Sequence, residues 1–214
     1  MNFKRESGRD AKSNKLLFNQ NITFSKGVTE IESLPIETVP EVAFFGRSNV
    51  GKSSLLNSIT NKSKLAYTSK SPGRTRELNF FSLNMNSKTL INIVDMPGYG
   101  FAKASKGQIK EWTNLSDLYL KTRKNLRRVF LLIDSRRKIM PIDNEIMDVM
   151  DDFAVSYQIV LTKTDKILKV ENLAELVLKE VERRKAIFPR VLVTSSKSKI
   201  GIGEIREELI SLIN

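Results

Sequence analysis

Residues 41–58 read EVAFFGRSNVGKSSLLNS, and the order of residue types in this stretch decides the fold. The run EVAFFG (41–46) is apolar and aromatic, which predicts a buried strand. A G-x-x-x-x-G-K-[ST] pattern follows at once, with Gly46, Gly51, Lys52 and Ser53 in the required places, and leads into apolar residues at helical spacing. Strand, glycine loop and helix N-terminus together make an anion cradle. Arg47, Ser48, Asn49 and Val50 supply its turning backbone, Lys52 reaches outer phosphates, and the Ser53 hydroxyl is the expected Mg²⁺ ligand. The plain alternative is a Gly-rich turn with an incidental lysine. Average residue frequencies give this four-position match by chance in on the order of one in a hundred chains of this length, and its place between strand and helix lowers that further.

Working outward, short β-branched runs alternate with helix-like segments, the pattern of a mostly parallel sheet with helices on both faces. Further strands are expected at LNFFSLNM (78–85), TLINIVDM (89–96), RVFLLIDS (128–135), YQIVLTK (157–163) and RVLVTSS (190–196). Only NSK separates the first two of these, so they form an antiparallel hairpin. Helical spacing marks 109–125, through Trp112, Leu115, Leu118 and Tyr119, and 173–188, through Leu173, Leu176, Val177 and Val181; IGEIREELISLIN closes the chain. The expectation is an α/β three-layer fold with a six-stranded sheet containing one antiparallel strand. Residues 1–21, with Lys4, Arg5, Arg9, Lys12 and Lys15, read as a flexible basic arm, and 22–214 as the domain.

With 214 residues, 40% hydrophobic and 28% charged, the chain has the composition of one globular domain. No apolar run is long enough to cross a membrane, so no membrane association is expected. The absence of both Cys and His excludes thiolate and imidazole metal sites and Ser-His-Asp catalysis from within the chain. Zero Cys and a polar N-terminus point to the cytoplasm. The net charge of +12 favours a polyanionic partner, nucleic acid first, although a generally basic proteome gives the same number.

The ends of the other strands carry the remaining chemistry. DMPG (Asp95, Met96, Pro97, Gly98) follows the strand 89–96; Asp95 would hold Mg²⁺ through water and the Gly98 N–H would meet a terminal phosphate. TKTD (Thr162, Lys163, Thr164, Asp165) discriminates between bases, because a carboxylate accepts both N1–H and the exocyclic amine of guanine, a donor pair that adenine lacks. Lys163 would lay its stem along the base, and Thr162 would brace the phosphate loop. Thr194, Ser195 and Ser196 would close the other side, with backbone N–H groups toward O6. In SPGRTRE, residues Gly73, Arg74, Thr75, Arg76 and Glu77 form a candidate switch; the Thr75 hydroxyl would complete the Mg²⁺ shell and its N–H would sense a γ-phosphate.

These motifs in this order resemble the translation-factor-related GTPases, and GRSNVGKSSLLN, SPGRTRELNFF, DMPGYGFAK and VLTKTDK narrow the resemblance to the EngB (YihA/YsxC) family over residues 22–214. The resemblance implies Mg²⁺-dependent binding of GTP and GDP on a Ras-like fold. It also implies a role in maturation of the large ribosomal subunit, with rRNA as partner, and an association with cell division and septation; a monomer is expected. Met96 stands where such proteins more often have Leu, and Thr194 takes a variable position.

Turnover poses its own question, because Tyr99 follows D-x-x-G where Ras-like switches place the glutamine that orients water. Slow intrinsic hydrolysis is therefore expected. Asn49 holds the position at which K⁺-activated GTPases ligate the ion, making it a catalytic candidate beside Lys52, Thr75 and Gly98. The clusters Arg123/Lys124/Arg127/Arg128, Arg136/Arg137/Lys138 and Arg183/Arg184/Lys185 are candidates for rRNA phosphates, with solvated helix faces as the plain reading of each. Trp112 and Phe101 read as packing residues. The rival readings are a GTPase module for another RNA, membrane-transport or division complex, a nucleotide kinase, and an RNA-binding domain with a vestigial pocket.

Overall fold

The structure, a computed structural model, describes residues 17–18, 21–62, 65–66, 77–100, 115–168 and 171–213. Its strands are β1 (Ile22–Val28), β2 (Glu41–Gly46), β3 (Leu78–Met85), β4 (Lys88–Asp95), β5 (Leu126–Asp134), β6 (Tyr157–Thr162) and β7 (Leu192–Val193). The helices are α1 (Lys52–Thr60), α2 (115–122), α3 (Pro141–Asp152), α4 (Leu173–Val181) and α5 (Ile202–Ser211).

One seven-stranded sheet runs in the order β1-β3-β4-β2-β5-β6-β7. β2 pairs in parallel with β4 and β5, β5 with β6, and β6 with β7, while β3 is antiparallel to both neighbours. The single reversed strand was expected; the seventh strand was not. β1 escapes a periodicity search because four successive residues, Thr23 to Lys26, are exposed and a bulge interrupts the register between Phe24 and Lys26. Asn86 and Ser87 link β3 to β4 with φ of 49° and 62°, the left-handed pair that matches hairpin twist. β7 is far shorter than the expected 190–196: exposed Arg190 pairs with Glu208 outside the strand, and a turn begins at Ser196.

Each face of the sheet buries its own core. Leu55, Leu56 and Ile59 of α1 and Ile205 and Leu209 of α5 pack with Val42, Phe44, Phe130 and Leu132 on one side. Leu115 and Tyr119 of α2, Met147 and Met150 of α3 and Val181 of α4 pack with Ala43, Phe45, Leu131 and Ile159 on the other. Alternate residues of β2 thus go to opposite faces, which is why EVAFFG shows no polar alternation. Phe44 stacks on Phe130 at 5.0 Å between centroids, a pairing that contributes about 1 kcal/mol beyond its burial. Phe18 is fully buried in the first core, N-terminal to the expected domain start at Ile22; the other residues of the basic arm, apart from Leu17 and Asn21, lie outside the described residues.

Candidate functional site

The carboxyl ends of β2, β4, β5 and β6 meet at one edge, bringing Gly46, Asp95, Asp134 and Thr162 to the same end of the sheet. Gly46 closes β2 under tight sterics: a Cβ there would lie 2.9 Å from Leu132 Cβ and 3.0 Å from Val50 Cγ1. The loop then turns through two positive φ values, 63° at Asn49 and 108° at Gly51, before α1 starts at Lys52. The Val50 side chain is core, so only its backbone serves the loop.

D-x-x-G is stitched directly onto this loop. Ser48 N–H donates to the Tyr99 carbonyl at 3.0 Å and Tyr99 N–H to the Gly46 carbonyl at 3.3 Å, with Arg47 and Tyr99 bridged in parallel. Gly98 packs so closely that a Cβ would sit 3.2 Å from Ser48 Oγ. Lys52 Nζ is ion-paired with Asp95, so the two groups expected to serve phosphate and metal neutralise each other here. The Ser53 hydroxyl and the Asn49 amide have no hydrogen-bond partner among the described residues. Met96, expected among the nucleotide contacts, instead has its side chain fully buried in the core, and its backbone N–H donates to the Phe44 carbonyl. Glu77 is likewise placed elsewhere, its carboxylate lying against Gly27 on the outermost strand. Gly73, Arg74, Thr75 and Arg76, like Phe101 and Trp112, lie outside the described residues.

The base-side residues form one connected network. Thr162 Oγ1 donates to the Val50 carbonyl at 2.7 Å, the brace expected of it. Lys163 bends across the loop, its Cε 3.6 Å from where a Gly51 Cβ would stand, and Nζ donates to the Asn49 carbonyl at 2.5 Å. Thr164 Oγ1 donates to the Thr194 carbonyl, and Ser195 Oγ donates to Asp165 Oδ1 at 2.6 Å. That hydrogen bond holds the exposed Asp165 carboxyl below its ordinary range, so it presents a charged acceptor. One expectation is corrected: the Thr194 and Ser195 N–H groups are not free toward O6, because they donate to the Leu161 and Ile200 carbonyls. Of the three, only the Ser196 N–H lacks an acceptor among the described residues.

Two acidic residues of this edge went unread in the sequence. Asp134 pairs with Lys163 at 2.9 Å and with Arg136 at 2.6 Å. The signal was present, since IDS repeats at the end of β5 the apolar-run-then-Asp arrangement of IVDM. Asp143 Oδ2 accepts Met140 N–H at the start of α3 while Oδ1 accepts the Tyr99 hydroxyl at 2.8 Å. Burial first, then the neighbouring carboxylate, pushes the Tyr99 phenol far above its ordinary range, so it stays protonated. A cavity of about 340 Å³ lies between these residues and the outer side of the loop, lined by Arg47, Asn49, Asp134, Arg137 and Asp143 among others.

The three basic clusters divide into paired and unpaired residues. Arg123 is buried and bidentate on Glu41, and buried Arg128 stacks 3.6 Å from the Phe188 centroid while pairing with Glu208. Arg136 pairs with Asp134, and Arg184 with Asp148 and Asp151. Arg123, Arg128 and Arg184 hold the fold, contrary to the expectation that they face RNA, while Arg136 is exposed and neutralised by Asp134 two residues before it. Lys124, Arg127, Arg137, Lys138, Arg183 and Lys185 remain without an ion-pair partner among the described residues.

Among the described residues no helix is long and apolar enough to cross a membrane. Residues 41–163 match a family model described as 50S ribosome-binding GTPase. A probable GTP-binding protein EngB from Hyphomonas neptunium is 47% identical over 92% of this chain and 90% of its own length. Among solved structures, a probable GTP-binding protein engB matches with a TM-score of 0.63 at 22% identity, over 81% of this chain and 98% of that one. Era in complex with MgGDPNP and nucleotides 1506–1542 of 16S ribosomal RNA matches with a TM-score of 0.67 at 23% identity, over 81% of this chain and 56% of that one.

Proposed function

Because the chain belongs to the EngB family of GTP-binding proteins, we propose that it is a Mg²⁺-dependent GTPase switch acting in assembly of the large ribosomal subunit, and through it in normal cell division and septation. The observation that carries the guanine reading is the Ser195-to-Asp165 hydrogen bond, which fixes a charged carboxylate at the base-side end of β6. Asp165 then takes N1–H and the exocyclic amine, and the Ser196 N–H takes O6. The ribosomal reading draws on the family model's description and on the RNA-bound Era complex of like fold.

The donor set suits magnesium. Ser53 and Asp95 offer one hydroxyl and one carboxylate oxygen, hard donors of the kind that Mg²⁺ uses in small number beside nucleotide phosphates. Once bound, the ion would neutralise charge on the β- and γ-phosphates. Lys52 would exchange Asp95 for phosphate, freeing that carboxylate for the metal's water, and Gly98 N–H would contact the γ-phosphate. Thr75 would complete the shell as the switch closes.

With Tyr99 protonated and engaged by Asp143, no side chain directly after D-x-x-G orients the attacking water, so unaided hydrolysis is slow. The Asn49 amide would hold K⁺, which would supply positive charge where it develops in the transition state, and the ribosomal particle would complete the site. The protein works as a cytoplasmic monomer. Depleting it and profiling ribosomes tests the proposal: immature large subunits accumulate if it holds, and a normal profile overturns the assembly role. Equal displacement of bound GTP by ATP would overturn the guanine site itself.

A further inference from the structure

We propose that the sheet edge opposite the nucleotide site, around Lys121, Lys124 and Arg127, is the surface that engages RNA phosphates; this rests on the ribosome-binding reading above. The strands β5 and β6 begin here, at Leu126 and Tyr157, so this edge lies a full strand length from Asp134 and Thr162. A groove of about 360 Å³ opens between the last turn of α2 and the segment after α3. Lys121, Lys124 and Arg127 line it on one side and Phe153, Ala154 and Ser156 on the other, and no Asp or Glu contributes to its walls.

The lack of an acidic wall distinguishes this groove from the cavity beside Arg137 and Lys138, which Asp134 and Asp143 also line. Arg123 points inward and is consumed by Glu41 and Glu37. Lys121, Lys124 and Arg127 are exposed and make no ion pair with any described residue. The Lys121 ammonium stands 6.0 Å from the Phe153 ring centroid, so its stem lies along the wall rather than sweeping freely. Helix-end electrostatics account for a lysine in the last turn of α2. They do not account for Lys124, beyond the helix, or for Arg127, in a strand.

The strip continues along the same edge. Tyr157 N–H, at the start of β6, donates to the Ala186 carbonyl at 3.1 Å, and Ile187 bridges Tyr157, so residues 183–187 run beside the groove. There Arg184 is neutralised by Asp148 and Asp151, while exposed Arg183 and Lys185 are not. Separated, unpaired cations around a groove with no carboxylate in its lining suit a phosphate backbone, whose charges also lie in a row. Contact at this edge would leave the base loops and D-x-x-G open to nucleotide.

The test uses the full chain with GDPNP and purified large ribosomal subunits, binding being measured across a series of salt concentrations. Against wild type stands the triple variant Lys121→Ser/Lys124→Ser/Arg127→Ser, with each single variant, and GDP affinity reports folding. The expected result is unchanged GDP affinity, a loss of subunit affinity of about tenfold or more, and a salt dependence shallower by about 2.7 log units per log unit for three lost phosphate contacts, or about 0.9 for each single change. A wild type that binds subunits and a triple variant that binds equally, with the same salt slope, overturn the surface assignment alone. A wild type that binds no subunit overturns the ribosomal reading with it.

Discussion

Lys163 and Asp134 are ion-paired at 2.9 Å, and the same ammonium donates to the Asn49 carbonyl at 2.5 Å, so β5 fixes the lysine that spans base loop and phosphate loop. Burial alone would raise the Asp134 carboxyl, but hydrogen bonds from Arg136 and Lys163 outweigh it and hold the group well below its ordinary range. Asp134→Asn keeps the shape and removes the charge. GDP affinity is expected to fall about tenfold by fluorescence titration, the lower end for losing a charge-assisted hydrogen bond at a part-exposed lysine. A depressed carboxylate contributes stability in full above its unfolded value near 4 and loses it as pH falls further. The stability advantage of wild type over the variant is therefore constant at neutral pH and shrinks below about pH 4. An advantage that persists undiminished in acid would contradict the pairing.

Tyr99 donates to Asp143 at 2.8 Å and packs edge-on against Phe45 at 5.0 Å, which ties D-x-x-G to the first turn of α3. A phenol held protonated by burial cannot take a proton from water near neutrality. Tyr99→Phe is expected to keep basal hydrolysis within about threefold across pH 6–9 while losing about 1 kcal/mol of stability, the net contribution of one hydrogen bond. A hundredfold loss of rate with normal folding would instead place the hydroxyl in the chemistry.

What the sequence made legible was local, and what it hid was long-range. Gly46 to Ser53, the β3–β4 hairpin and TKTD each declare themselves within a few residues, because turn chemistry and periodicity are short-range. β1 has no alternation for a pattern to catch, and Pro141 opens α3 in a stretch read only as basic. Asp134 was absorbed into its strand, although its partner Lys163 had been singled out. Arg123 and Arg128 looked like surface charge since their acidic partners, Glu41 and Glu208, lie 82 and 80 residues away in the chain.

Those distant partners make a stability prediction. Glu41 is fully buried, accepting from Arg123 Nε at 2.9 Å and Nη2 at 2.6 Å and from the Tyr119 hydroxyl at 3.0 Å. Glu41→Ala strands a buried guanidinium and is expected to cost about 3–5 kcal/mol. For a domain of this size that lowers Tm by about 10 °C in calorimetry. Since the triad sits at the edge away from the loop, GDP affinity of the folded variant should match wild type.

Asn49 offers the sharpest test of how hydrolysis is assisted. Its backbone is fixed by Lys163 and by a left-handed φ of 63°, while its amide is exposed and uncommitted among the described residues, so the side-chain oxygen is available to a ligand. A monovalent cation there would act on transition-state charge, not on ground-state binding, so it should raise kcat more than it lowers KM. Replacing Asn49 by Ala would strain the backbone, whereas Asn49→Gly tolerates the same φ and removes only the amide. The wild type is expected to hydrolyse GTP about tenfold faster in K⁺ than in Na⁺. In Asn49→Gly that difference should vanish with GDP affinity within about threefold of wild type. Equal wild-type rates in the two salts would remove the cation from the mechanism and leave the ribosomal particle to supply the missing charge.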